Sequence, residues 1–189
     1  MSDAAVPAAL QESKTRDYID AGLLLNSPYF SVLRKERDID LIISLDFSDG
    51  DPFMTVTKAA ETCMKLKIPS LEVNIPNGHS EKPNDFYVFK GQNTPTVIHI
   101  PLFNVGNCGG NVNVSSDKIE EWRNKYTTIQ GSYSAEMITD HMEVAGKNIT
   151  NNKDNLLKEI RVVAIQKWLK ELINILIELM RVFLQRHQQ

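Results

Sequence analysis

The amino-acid sequence predicts an α/β fold: a mixed sheet with flanking helices, followed by a long amphipathic helix at the C-terminal end. Three observations lead there. Ile39 to Phe47 carries the near-continuous apolar run Leu41-Ile42-Ile43-Ser44-Leu45, the pattern of a strand buried on both faces. Strand patterns alternate with helical patterns through the body of the chain. Asp154 to Arg186 contains neither glycine nor proline and is rich in helix formers. The 189 residues suffice for one domain with a core. They divide by pattern into a disordered or frayed segment 1–16, a body 17–153, and the helix with its tail, 154–189.

The body opens on Asp17 to Tyr29. Tyr18-Ile19 is a short β-type lead-in, Asp20 sits on a turn with Gly22 two places on, and Leu23 to Leu25 is an apolar run broken by Asn26 and Pro28. This pattern seats Asp20 at the end of a buried strand. Gly22 then permits either a positive φ or a close backbone approach. A loop acid so placed suits catalysis, and it equally suits an ordinary acid capping a turn. Phe30 to Leu33 is a small apolar patch, and Arg34 to Asp38 reads as a solvated charge cluster.

After the strand at 39–47, Ser48-Asp49-Gly50-Asp51-Pro52 is turn-like. Its acids lack the alternating ligands and distal glutamate of a calcium loop, so no metal is predicted. Thr55 to Lys67 is a helix with Val56, Ala59, Ala60, Cys63 and Met64 on one face, ended by Pro69. Leu71 to Ile75 alternates as a half-buried strand. Pro76 to Asn84 is a polar loop in which His79 is solvated. Phe86 to Lys90 and Thr96 to Phe103 form a hairpin pair of strands. His99, flanked by isoleucines, reads as a satisfied core histidine. Gly106 to Asn111 is a loop. Gly109-Gly110 offers N–H groups suited to an oxyanion, but no helix follows closely to add its dipole.

Ser116 to Lys125 is a helix capped by Ser116, and Ser134 to Lys147 is another, with Ala135, Ile138, Met142 and Val144-Ala145 as its apolar face. In the last helix Glu171, Asn174, Glu178, Arg181 and Gln185 recur at steps of three and four, and everything else from 172 to 184 is apolar. That face is wider than one core contact needs. Three fates are open to it: a core helix, pairing with a second copy or a partner helix through 171–184, or insertion in a membrane interface with Lys167, Trp168 and Lys170 upstream. Its polar interruptions argue against a membrane span.

Composition excludes several classes. A net charge of −3 gives no reason to expect nucleic acid. Cys63 and Cys108 lack metal-ligand spacing and fit a reducing compartment. A thiol enzyme built on either is poorly supported, because Cys63 lies in a helix pattern with no histidine near it in sequence. The N-terminal stretch has no hydrophobic segment of the kind that addresses a chain for secretion. The sequons Asn113-Val114-Ser115 and Asn148-Ile149-Thr150 therefore read as chance matches. No cofactor is predicted, and no CaaX sequence marks the C-terminus.

Several blocks together carry a resemblance. Asp20-Ala21-Gly22, Asn26, Pro28-Tyr29, Leu33-Arg34, Asp40 to Ser48, Phe86 to Lys90 and Pro95 to Leu102 resemble, in order and spacing, the C-terminal part of the catalytic domain of cytosolic (group IV) phospholipases A2, the calcium-independent gamma type most of all. The resemblance covers roughly residues 14 to 163. It implies the C-terminal portion of a patatin-like phospholipase fold. It also implies hydrolysis of the sn-2 acyl ester of glycerophospholipids, and often of lysophospholipids, by a serine–aspartate dyad.

In that dyad a carboxylate takes the proton that histidine takes in triads. By resemblance Asp20 is the carboxylate, Arg37 a basic residue that helps hold the phosphate head group, and Asn26 a residue of loop geometry. The implied partner is a glycerophospholipid or membrane surface, and the implied location is the cytoplasm, peripheral on intracellular membranes. The family's serine elbow lies upstream of its aspartate, and this chain holds no Gly-x-Ser-x-Gly. Two expectations follow. The chain belongs to phospholipid deacylation with Asp20 its only catalytic residue, or it is a truncated, inactive form that binds lipid or a partner.

Overall fold

The computed structural model describes residues 14–15, 18, 20, 22, 25–33, 37–48, 50–109, 114–127 and 131–186. The expectation for 1–16 lies outside them except at Lys14 and Thr15. Among the described residues there are three strands, β1 (Leu41–Asp46), β2 (Tyr87–Phe89) and β3 (Thr96–Pro101). The helices are α1 (Met54–Lys65), α2 (Ser116–Lys125), α3 (Ala135–Asn151) and α4 (Lys153–Arg186). The sheet is mixed, in the order β1-β3-β2. β1 runs parallel to β3 with Ser44 beside His99, and β2 runs antiparallel with Val88 beside Ile98. The parallel pair is reached through a crossover that contains α1, as parallel pairing requires.

β3 is buried at every position and forms the spine. Its Val97 face packs with Phe89 on Phe53, Val56, Ala59 and Cys63 of α1 and its lead-in, and on Leu25, Tyr29 and Leu33 of the preceding segment. Beyond the C-terminal end of β3, Leu102, Phe103 and Cys108 make a second core with Ile119, Tyr126 and Val144. Burial pushes the Cys108 thiol up to about 11, so it is a packed, unreactive thiol.

β1 departs from expectation. It has a strand partner on one side only, and Ile43 and Leu45 are each 46% exposed. Only the alternate set faces the core: Ile42 packs on it, Ser44 meets Tyr29, and Asp46 is buried. An apolar run without polar alternation suits two covered faces, and among the described residues one is covered. No strand forms at the described residues between 18 and 25. Leu71 to Ile75 makes a single bridge, Glu72 to Lys90, although its alternation is real: Leu71, Val73 and Ile75 turn to the core. Met64 is 62% exposed, leaving Val56, Ala59, Ala60 and Cys63 as the inner face of α1.

The helix starts follow capping chemistry. Ser115, one place earlier than expected, caps α2 by accepting from the Lys118 N–H, and Ser134 caps α3 by accepting from Met137. α3 runs through Gly146 to Asn151 and buries Val144 and Asn148, while Ile138 and Met142 point outward. Its inward face is thus Met137, Val144, Ala145 and Asn148. Asn152 is buried and separates α3 from α4, donating to Asp85 Oδ2 at 3.0 Å and to the Asn148 carbonyl at 3.1 Å. α4 docks by its first half only. Val163 is buried, Glu159 meets Lys90 at 3.5 Å, and Lys167 meets Asp40 at 2.6 Å. From 168 to 185 every residue is exposed, so the core-helix reading of the last stretch does not hold within this chain.

Candidate active site

Because β1 and β3 are parallel, their C-terminal ends lie together, Asp46 beside Pro101. In open α/β sheets that end is where ligands gather. A cleft of about 500 Å³ opens on the β1 side, lined by Asn26 to Tyr29 and by Ile42 to Ser48.

Asn26, six residues after Asp20, bonds this end of the sheet, and Asp20 bonds its own turn. Asp20 Oδ1 accepts from the Gly22 N–H at 2.8 Å. A Cβ on Gly22 would stand 2.7 Å from Asn26 Oδ1, so of the two reasons for a glycine it is the close approach that applies. Asn26 Nδ2 donates to Ser48 Oγ at 3.2 Å. Ser48 donates its N–H to Asp46 Oδ1 at 2.9 Å, and its hydroxyl to the same oxygen. Asp46-Phe47-Ser48 is thus an Asx turn closing β1.

Below it lies a buried acid and imidazole. Asp46 Oδ2 has no hydrogen-bond partner and stands 3.7 Å from His99 Nε2. His99 is fully buried against Phe53 and Phe89, and its Nε2 proton goes to the Pro52 carbonyl at 2.8 Å. That leaves Nδ1 as an acceptor with no donor. Burial holds the imidazole below its ordinary pKa, with the Asp46 carboxylate and the Pro52 carbonyl pulling the other way. The ring is therefore neutral near pH 7. The sequence expectation of a satisfied core histidine is met at one nitrogen only.

The wall of the cleft is stapled in the same fashion. Tyr29 Oη donates to Ser44 Oγ at 2.6 Å, and Ser27 bonds Thr55 at 3.0 Å. Burial raises the Tyr29 pKa, which keeps the phenol a donor. His79 is half-buried and bonds Tyr87 Oη at 2.7 Å, so it is not the solvated residue expected.

Asp20 itself is exposed and in no strand among the described residues. Arg37 is exposed as well and does not line the cleft. Among the described residues no hydrogen bond or ion pair joins Arg37 to Asp20. Sequence reasoning missed Asp46, Ser48 and His99 as one cluster. The Asp-x-Ser spacing at the end of the best strand was the available signal. Among the described residues no group of three His, Cys, Asp or Glu side chains gathers as a metal site.

A second polar cluster was missed entirely. Asn104, Asn107 and Asn148 are buried where β3 ends. Asn148 Nδ2 donates to the Pro101 and Leu102 carbonyls at 3.2 and 3.1 Å, and its Oδ1 accepts from Asn104 and Asn107, both at 2.8 Å. Asn148 is thus committed inside the fold, and its sequon is not an exposed acceptor.

No family profile matches the chain. It is 39% identical over 150 residues to cytosolic phospholipase A2 gamma of Mus musculus, covering 77% of this chain and 24% of that protein. To the Homo sapiens gamma enzyme it is 37% identical over 150 residues, covering 26% of that protein. Among solved structures it is similar to human GIVD cytosolic phospholipase A2, with a TM-score of 0.61 at 22% identity over 77% of this chain and 21% of that one. The complex of the same protein with methyl gamma-linolenyl fluorophosphonate and terbium chloride gives 0.59. These likenesses show a shared fold with mixed sheet and flanking helices. The chain spans about a quarter of the length of the curated relatives it matches, and it belongs to the cytosolic phospholipase A2 family.

Proposed function

We propose that this chain serves phospholipid deacylation as the portion that carries the carboxylate of a serine–aspartate dyad, with Asp20 as that carboxylate. The observation that supports the reading is the bond from Asn26, six residues after Asp20, to Ser48, which itself closes on Asp46 at the C-terminal end of the parallel strands. An exposed carboxylate there can take a proton from a serine hydroxyl presented from outside the chain. Arg37, exposed and without a carboxylate partner among the described residues, is free to meet a phosphate.

The substrate class is a glycerophospholipid attacked at its sn-2 ester, at a cytoplasmic, peripheral membrane surface and without calcium. The names of the relatives support the class. No helix among the described residues is long and apolar enough to cross a membrane. The second reading is a form without activity of its own that binds lipid or a partner. It is supported by the exposed apolar residues of the distal half of α4.

Hydrolysis of a phospholipid with a labelled sn-2 chain separates the two, run on the purified chain and on Asp20→Ala beside liposome flotation. Under the first reading the chain alone is silent. Added to a protein that supplies the serine elbow, it restores fatty-acid release, and Asp20→Ala lowers that release at least a hundredfold. Flotation with no such restoration supports the second reading. Release by the chain alone that survives Asp20→Ala overturns both.

A further inference from the structure

We propose that the free edge of β1 is a docking site for an extended strand of another polypeptide, which adds to the sheet beside β1. The backbone of β1 alternates in where it points. Asp40 accepts from the Thr96 N–H at 3.0 Å, and Asp46 accepts from the Leu102 N–H at 2.9 Å. In a parallel ladder the N–H and C=O of one residue point to the same side, and successive residues alternate. Residues 40, 42, 44 and 46 therefore serve β3. Leu41, Ile43 and Leu45 turn their N–H and C=O groups to the opposite edge. Among the described residues β3 is the strand that pairs with β1, and no further backbone bond reaches those groups.

This edge opens into the cleft already described. The cavity of about 500 Å³ is lined by every residue from Ile42 to Ser48. Side chains alternate between the two faces of a strand, so a cavity that touches each residue in turn follows the edge and not one face. The facing wall is 26–29, and it is fixed in place: Tyr29 bonds Ser44 at 2.6 Å and Ser27 bonds Thr55 at 3.0 Å. A strand rises about 3.3 Å per residue, lies about 4.8 Å from its neighbour and sits in a layer about 10 Å deep, so each residue fills roughly 160 Å³ and the cleft has room for about three. On the outward face Ile43, Leu45 and Phe47 are 46, 46 and 52% exposed. They form the row against which an added strand rests its own apolar side chains.

Three features select a strand of another polypeptide over other occupants. The first is backbone complementarity. Unpaired N–H and C=O groups at the two-residue repeat of a strand are matched by a second backbone, whereas an acyl chain leaves them unpaired at a cost. The second is room. A second copy that paired β1 with β1 would bring its own 26–29 wall into a cleft with space for one strand. The third is length. The match to the mouse gamma enzyme covers 24% of that protein, so a family member carries polypeptide beyond the matched residues. The partner segment is extended, free of proline, and apolar at alternate positions to meet Ile43, Leu45 and Phe47. This inference goes beyond the dyad reading and makes no use of Asp20.

The test is amide hydrogen exchange of the full chain, read residue by residue by NMR, alone and with short peptides that alternate valine with threonine between lysine ends. In the chain alone the amides of Leu41, Ile43 and Leu45 should exchange at least tenfold faster than those of Ile42, Ser44 and Asp46. Millimolar peptide should slow the first set at least tenfold and leave the second as it was. Ile43→Pro removes an edge donor and spares the β3 ladder, so it should weaken the peptide's effect at least tenfold with an unchanged thermal transition. Should that variant fail to fold, the same peptide methylated at every backbone nitrogen carries the test. It keeps the side chains, loses the donors, and should slow nothing. Slowing by the methylated peptide, equal slowing of both sets, or no slowing at millimolar peptide overturns the proposal. Slowing of the first set by phosphatidylcholine vesicles alone assigns the edge to lipid, and slowing that grows with the concentration of the chain alone assigns it to a second copy; either result overturns the proposal. None of these readouts involves hydrolysis, so the strand site can fail while the dyad reading stands, and the reverse.

Discussion

Two buried polar clusters flank β3, and they are built to different standards. At the β3 end, Asn104, Asn107 and Asn148 are neutral and hydrogen-bonded to one another and to chain carbonyls. At the β1 end, Asp46 and His99 are ionisable and incompletely paired, with Asp46 Oδ2 and His99 Nδ1 lacking partners. A saturated neutral network specifies packing. A buried ionisable pair short of partners carries a cost that the fold tolerates where the groups serve something else. The cluster beside the cleft and the Asp20 turn is of the second kind.

The largest effect should come from the saturated side. Asn148→Ala removes donors from the Pro101 and Leu102 carbonyls and the acceptor from two amides. Each of these groups keeps a second partner, since Asn104 also donates to the Pro101 carbonyl and Asn107 to the Leu102 carbonyl, so the loss is that of four buried hydrogen bonds at about 0.5–1.5 kcal/mol each before relaxation. The expected loss is about 3 kcal/mol in urea unfolding, against less than about 1 kcal/mol for Asp46→Asn, which removes a buried charge short of partners. If Asp46→Asn proves the costlier of the two, the contrast between the clusters fails.

An intermediate effect is pH-dependent. Burial holds the folded-state pKa of His99 below the ordinary 6.5, so the unfolded chain binds the proton first. Stability is therefore complete above about 6.5 and falls as pH drops from there through the folded-state value. His141 is also lowered by burial and acts with the same sign. Urea midpoints should hold steady from pH 8 to 7 and decline below 6.5. His99→Gln should flatten most of that decline and leave the part due to His141. An unchanged slope in His99→Gln would assign the acid sensitivity elsewhere.

The sequence made the elements legible where local chemistry dictates them. The apolar run gave β1 and the 3.6-residue period gave α1. The glycine-free stretch gave α4. Its reading failed where tertiary context decides. Val73 and Ile75 alternate like a strand but find no second strand to pair with. Ile43 and Leu45 read as doubly buried, yet no helix or strand among the described residues closes over them. The inward face of α3 was half read: Val144 and Ala145 pack inward as expected, but Ile138 and Met142 point outward, and Asn148 is buried because the carbonyls at the end of β3 receive it. Of the site, Asp20 and Arg37 came by resemblance. The Asp46–His99 pair was hidden because its members are more than fifty residues apart and are joined only by the register of two parallel strands.

The smallest effect sharpens the link between the ionisable cluster and the Asp20 turn. Ser48 bonds both Asn26 and Asp46. Ser48→Ala removes the acceptor for Asn26 and one donor to Asp46 but keeps the backbone N–H that closes the Asx turn. The net cost of an exposed or half-exposed hydrogen bond is about 1 kcal/mol or less, so global stability should hardly move. Local order should. Amide hydrogen exchange at Gly22, whose N–H is held by Asp20, should quicken several-fold in Ser48→Ala while exchange in α1 stays as it was. Exchange that quickens in α1 as well would mean that Ser48 serves the core. Exchange unchanged at Gly22 would mean that the Asp20 turn holds its shape without the β1 end, and the carboxylate would then be positioned by its own turn alone.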